Sequence, residues 1–184
     1  MHVQPALFDH WPAKRYLGQR YRRNDQPWQT AIHEAGHAVV AHGLNVPFQY
    51  VTIRPSLGSV LGHVATDFTS YLRAESEAVV NNRVAAVATV LVAGPVAARR
   101  FALVPNPRVI LPGSDYATLD RLLGGNQVSV DRKRAVILSL EQVAENFLAS
   151  HAIAPSLFQL ALALTKRITL DHAAAVCAMA GELL

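Results

Sequence analysis

Three residues pose the chemical question: His33, Glu34 and His37, in the run TAIHEAGHAVVAHGL at positions 30–44. Two histidines four apart on an α-helix are separated by about 40° of rotation and about 6 Å along the axis, so both imidazoles share one face. Side chains placed this way can grip a single tetrahedral Zn²⁺ at the usual ligand distance of about 2.0–2.1 Å. Glu34 sits one residue round the helix, away from the ligand pair, and can reach water at the metal instead. This is the H-E-x-x-H arrangement of zinc hydrolases, with the glutamate as general base. The rival reading is an amphipathic helix whose polar residues face solvent. Ala31, Ile32, Ala35, Ala38, Val39, Val40 and Ala41 weigh against it, because they make the helix apolar on nearly every side. Buried histidine and glutamate need partners, and a metal supplies one.

The third histidine of the run does not belong to the pair. His42 lies nine residues beyond His33, about 180° round the helix. The longer H-E-x-x-H-x-x-G-x-x-H pattern is also missed, since position 40 is valine and position 43 glycine. Gly36 needs a reason of its own, because glycine inside a helix costs about 1 kcal/mol relative to alanine. Close approach of another backbone, such as a neighbouring hairpin, would supply it.

A catalytic zinc takes a third protein ligand and keeps its fourth position for water. Spacing alone leaves His63, Asp67, Glu75, Glu77, Asp115 and Asp120 open. Asp115 is modestly favoured, since it stands at a helix start after Pro112-Gly113, where a carboxylate can be aimed inward. A helix-capping role for Asp115 fits the spacing about as well.

The elements that must position these groups follow from punctuation and period. Pro27 in a first turn, with Asp25 or a neighbour as cap, starts the histidine helix; Gly43 and Pro47 end it. FQYVTIRP (48–55) alternates as a strand, and VLGHVAT (60–66) reads as its hairpin partner across SLGS. From about Tyr71 the pattern is helical. RAESEAVVNNRVAAVATVLVA predicts one long helix from Arg73, kinked at Gly94-Pro95 and continuing through VAARRFAL. Ser114 caps a helix over SDYATLDRLL, which Gly124-Gly125 ends, and three more helical segments span about 129–151, 155–166 and 169–182. The expected fold is mainly α (α+β), with a small hairpin beside the histidine helix.

Bulk composition agrees with one compact domain. The 184 residues are 51% hydrophobic and 16% charged, which excludes a disordered chain. The most apolar stretch, Val84 to Ala98, is flanked by arginines and is shorter than the roughly 18 residues a membrane span needs, so it reads as a core helix. No signal-peptide core is present, and the single cysteine, Cys177, excludes an internal disulfide and favours a cytoplasmic setting. Of the net charge of +4, residues 1–27 carry +3. A basic, aromatic-rich arm (1–27) therefore precedes a nearly neutral domain (28–184), and the sequence carries no strong nucleic-acid signal.

Five blocks, TAIHEAGHAVV, VTIRPSLGSVLGHV, LVAGPVAARRF, PGSDYATLDRL and LALTKRITLDHAAAV, occur in the order found in the proteolytic domain of the FtsH family of membrane-anchored, ATP-dependent zinc proteases, which this chain resembles from about Thr30 to Val176. The resemblance implies a helical, zincin-like peptidase domain with one zinc per chain. It makes His33, His37 and Asp115 the ligands and Glu34 the base, and it is the resemblance that selects Asp115. The family's Gly-Arg-x-Ala-Glu-Glu stretch here reads Gly94-Pro95-Val96-Ala97-Ala98-Arg99, without either acidic residue. No lysine follows a glycine, so these residues hold no phosphate-binding G-x-x-x-x-G-K loop.

The expectation is therefore a stand-alone, ATP-independent zinc endopeptidase acting on unfolded or extended polypeptides. A separate ATPase or adaptor could deliver its clients, and the protein could form homo-oligomers. An extended substrate would pair with the edge of the second strand at Leu61, Gly62, His63 and Val64, with His63 as a further candidate for oxyanion stabilisation. Two rivals stand beside it. One is a non-catalytic, zinc-containing binding module, against which an intact Glu34 argues. The other is a nucleic-acid- or membrane-associated regulator working through the basic arm.

Overall fold

The computed structural model describes residues 26–55, 62–73, 76–102 and 114–182. The basic arm lies outside these apart from Gln26 and Pro27, as do Asp25, the SLGS turn, Leu61, Glu75 and the proline-rich connection at 103–113.

The histidine helix, α1 (Gln26–Gly43), is the centre of the molecule. It carries Pro27 in its first turn, and its side from Ala31 to Ala41 is almost wholly buried. Asn45, rather than Gly43, takes the left-handed position that ends it, with φ of 55°. The backbone bonds Asn45 N to His42 O (3.2 Å) and Val46 N to Ala41 O (2.8 Å) close the C-terminus in the reciprocal pattern of a Schellman motif. Gly43 has a packing duty instead: a Cβ there would lie 2.4 Å from the ring of Phe147.

After α1, β1 (Tyr50–Thr52) pairs antiparallel with β2 (His63–Ala65), as the hairpin reading expects. A third strand that the sequence reading placed inside a helix, β3 (Thr169–Asp171), pairs antiparallel with the other side of β1. The sheet order is β2-β1-β3. Strand alternation puts Val51, Val64 and Leu170, which are cross-strand neighbours, in one row, with Val51 and Leu170 deep in the core. Tyr50, Thr52, His63 and Thr169 then point to the other face.

A short helix, α2 (Phe68–Leu72), is capped by the Asp67 side chain on Ser70 N and leads to α3 (Glu77–Phe101). The long helix begins at Ser76, whose hydroxyl caps Val79 N, and not at Arg73, whose backbone is extended. Pro95 lies inside α3, yet the helix runs unbroken to Phe101. As folded, α3 is long and apolar enough to cross a membrane, so length does not exclude a span; two-thirds (67%) of its most apolar window is buried inside the fold, as in a core helix.

The remaining elements are α4 (Asp115–Leu122), a 3-10 turn (Gly125–Gln127), α5 (Val130–Leu148), α6 (Ala154–Arg167) and α7 (His172–Ala180). Helix α1 packs most extensively against α3 and α6, while α3 also packs on α4 and α5. Ser114 caps α4 through Ala117 N, as its sequence position suggests. The described residues thus form a mostly helical fold with one small antiparallel sheet.

Candidate metal centre

The site is built where α1 crosses α3 and meets the first turn of α4. Gly36 permits the crossing: a Cβ on it would lie 2.6 Å from Ala97 Cβ and 2.8 Å from Ala93 O. The neighbour that explains this glycine is therefore α3 and not the hairpin. Gly94 makes the reciprocal allowance, since a Cβ there would lie 2.2 Å from His37 Nε2. The two helices interlock through missing side chains, and the imidazole of His37 fills the space over Gly94.

That imidazole is held in one orientation. His37 Nδ1 donates to Val90 O at 2.6 Å, which in the neutral ring leaves the lone pair on Nε2. There it meets His33 Nε2 at 3.1 Å and Asp115 Oδ2 at 3.4 Å, while His33 Nε2 lies 3.0 Å from Asp115 Oδ2. Three donor atoms thus stand 3.0–3.4 Å apart. Ligands about 2.0–2.1 Å from a tetrahedral ion lie roughly 3.3 Å from one another, so this triangle has the size of one face of a tetrahedral zinc shell. Among the described residues, this is the cluster of His, Cys, Asp and Glu side chains able to hold a metal ion. His37 is buried, while His33 and Asp115 keep 27% and 29% of their side-chain surface exposed.

The electrostatics call for a cation. Burial raises Asp115 towards neutrality, but the two imidazoles outweigh it and hold the carboxyl far below the usual carboxylate range. Burial likewise opposes charge on His37, yet the Asp115 carboxylate, helped by Glu34 and the Val90 carbonyl, raises its pKa to about 9. A fixed negative charge at the triangle is therefore matched by a proton on His37 wherever no metal ion takes its place.

Glu34 stands beside the triangle and outside it. It is only 4% exposed, and its Oε2 has no hydrogen-bond partner among the described residues. Burial is the larger influence on it and pushes its carboxyl above the ordinary value, against the pull of His33 and His37. A buried carboxylate oxygen without a donor is costly unless something else, such as water or substrate at a metal, engages it. Gly62 covers it from the sheet: a Cβ there would lie 2.8 Å from Glu34 Cγ, 2.9 Å from Glu34 Oε1 and 2.7 Å from Thr52 O. The start of β2 is thus laid directly over the acid.

The other sequence candidates separate clearly. His63 hydrogen-bonds Tyr50 Oη through Nε2 at 2.8 Å, on the sheet face opposite Val64. Asp67 caps α2, Glu77 opens α3, and Asp120 pairs with Lys133, so none of the three joins the metal triangle. His42 is exposed and stands near His172. Leu61 and Glu75 lie outside the described residues. Sequence reasoning passed over Gly94 as a partner of His37, treating it only as part of a kink; a helical glycine ahead of a proline was the available signal. It also missed a polar chain beside Asp115, buried at Tyr116 and Glu141. Tyr116 Oη donates to Glu141 Oε1 at 2.5 Å, and Glu141 Oε2 lies 3.6 Å from Arg99. Burial and that hydrogen bond raise the phenol of Tyr116, keeping it a donor.

The chain matches no known protein-family model, and no curated protein is found similar to it.

Proposed function

We propose that the protein is a zinc-dependent endopeptidase of the FtsH type, in which His33, His37 and Asp115 hold the ion. The observation that carries this reading is the juxtaposition of that three-donor triangle with a buried, unpartnered Glu34 oxygen. A purely structural metal site is closed by four protein ligands and has no use for a base beside it. The five sequence blocks shared in order with the FtsH proteolytic domain point to the same chemistry.

When bound, zinc supplies Lewis acidity, drawing down the pKa of water and polarising a scissile carbonyl. The protein's own groups do the rest. The Val90 carbonyl fixes the tautomer of His37, so its Nε2 is presented as a donor. Glu34 takes a proton from water at Oε2 and passes it to the leaving amine. Its raised pKa brings it nearer the operating pH, where a carboxylate is a better base. The outer edge of β2 pairs with no other strand among the described residues, and Gly62 brings that strand over Glu34. An extended polypeptide adding to this edge, across Gly62, His63 and Val64, would run past the acid.

The test is cleavage of a permanently unfolded polypeptide by the zinc-loaded full chain and by Glu34→Gln. The variant should retain zinc and lose about 10²- to 10⁴-fold in rate. Zinc bound equally by both, with no cleavage by either, would leave a metal-binding module and remove the peptidase reading.

A further inference from the structure

We propose that the Tyr116–Glu141–Arg99 chain is a positioning device for Asp115, setting where its Oδ2 meets the two histidines. The inference rests on the metal reading of the triangle given above.

Asp115 is the first residue of a helix of only eight residues. Two side chains of α4, Tyr116 and Leu119, are buried. Leu119 is apolar, and apolar contacts tolerate small slides and rotations of a short helix. Tyr116 is different, because its hydroxyl is directional: Oη meets Glu141 Oε1 at 2.5 Å. Glu141 belongs to α5 and is 4% exposed. A carboxylate so buried persists only where donors meet it, and Arg99 of α3 approaches its other oxygen at 3.6 Å.

The chain therefore ties the residue next to Asp115 to both α5 and α3. Helix α3 is the same helix whose Val90 carbonyl holds His37 and whose Gly94 leaves room for that ring. One helix thus gives the reference frame for donors on two other helices. Were stability the only demand, well-packed apolar residues in place of Glu141 and its partners would serve as well or better. A directional buried hydrogen bond such as Tyr116–Glu141 is instead suited to fixing one geometry, here a donor triangle whose sides differ by only a few tenths of an ångström.

The experiment is titration of the metal-free full chain with Co²⁺, following the visible absorption that reports its coordination. Circular dichroism confirms that each variant is folded. Tyr116→Phe should weaken Co²⁺ about 10- to 100-fold, as loss of a group that orients a ligand generally does. Glu141→Leu should match it, and Glu141→Gln, which keeps an acceptor for the tyrosine, should recover most of the affinity. Ala178→Gly, a buried and destabilising helix change in α7, should leave affinity within about twofold. Tyr116→Phe binding as tightly as wild type would overturn the positioning role, as would an equal loss in Ala178→Gly. If Tyr116→Phe does not fold, the Glu141→Leu and Glu141→Gln pair decides, and equal affinity in the two overturns the proposal. Absence of Co²⁺ binding by the wild type would instead overturn the metal reading itself.

Discussion

The two flanks of α1 are built on opposite principles. On the α3 side, Gly36 and Gly94 remove side chains so that backbone, imidazole and carbonyl meet at contact distance, and every feature of His37 is fixed. On the β2 side, Gly62 brings a strand just as close to Glu34, yet leaves Oε2 with no partner among the described residues. One flank is satisfied and rigid; the other keeps an acid in need of a proton donor. The contrast suits the proposed reading, in which one flank holds an ion and the other meets a reactant only in passing.

The largest effect should come from breaking the rigid flank. Gly94→Ala would place a methyl group within 2.2–2.6 Å of three atoms of the His37 ring, which the Val90 bond prevents from yielding. Metal affinity should fall at least about 100-fold, with an overpacking cost of about 1–3 kcal/mol. Isothermal titration with Zn²⁺ against a competing chelator reads the first effect and chemical denaturation the second.

Gly62→Ala probes the other flank, where the nearest atoms to the added methyl group belong to Thr52 and Glu34. On the proposed peptidase reading, the expected result is zinc affinity within a few-fold of wild type and kcat reduced about 10- to 100-fold, because an ångström of misplacement at the proposed base is enough for that. Loss of zinc in this variant would show the two flanks to be coupled after all.

Acidity separates them further. His37 has its pKa raised from 6.5 to about 9, so its proton stabilises the metal-free protein fully below pH 6.5 and ceases to do so as pH rises through about 9. Zinc must displace that proton. Affinity should therefore rise about tenfold per pH unit between about 6.5 and 9 and then level off. Over the same window, thermal unfolding should show the metal-free form losing stability relative to the loaded form.

The smallest effect concerns the strained turn that anchors the sheet. Ile168 has φ of 67° and ψ of −43°, a region that β-branched residues avoid. Its carbonyl accepts from Ile53 N at 2.8 Å and Thr52 Oγ1 at 3.1 Å, linking α6 to β1. Ile168→Gly should leave stability unchanged or raise it by up to about 1 kcal/mol, since relief of strain offsets the lost side chain and the looser unfolded chain. Urea denaturation reads the difference, and a loss larger than about 1 kcal/mol would contradict the assignment of strain.

Much of this organisation was legible in the sequence, and the exceptions have physical causes. Helical period placed His33 and His37 on one face, and Ser114 declared the start of α4. Period could not say which helix or strand comes close, so Gly36 was read as a close approach with the wrong neighbour. It could not choose among the acidic candidates either; resemblance chose Asp115, and only the fold brings α4 beside α1. Strand β3 was hidden because three residues between two helices are too few for alternation to register, although Thr169-Leu170-Asp171 does alternate exposed, buried, exposed. Asp171 then caps α7, a signal that the helix begins later than the apolar pattern suggests. Arg73 was drawn into α3 for a similar reason, with Ser76 the unused boundary.

The central claim is that His33, His37 and Asp115 form one metal site. Its most direct measurement is the zinc bound per chain, by elemental analysis after equilibration, in wild type, Asp115→Ala and Asp120→Ala. One zinc per chain in wild type and Asp120→Ala, with loss of at least about tenfold in affinity in Asp115→Ala, is the expected result. Equal zinc in all three proteins, or none in wild type, would contradict it.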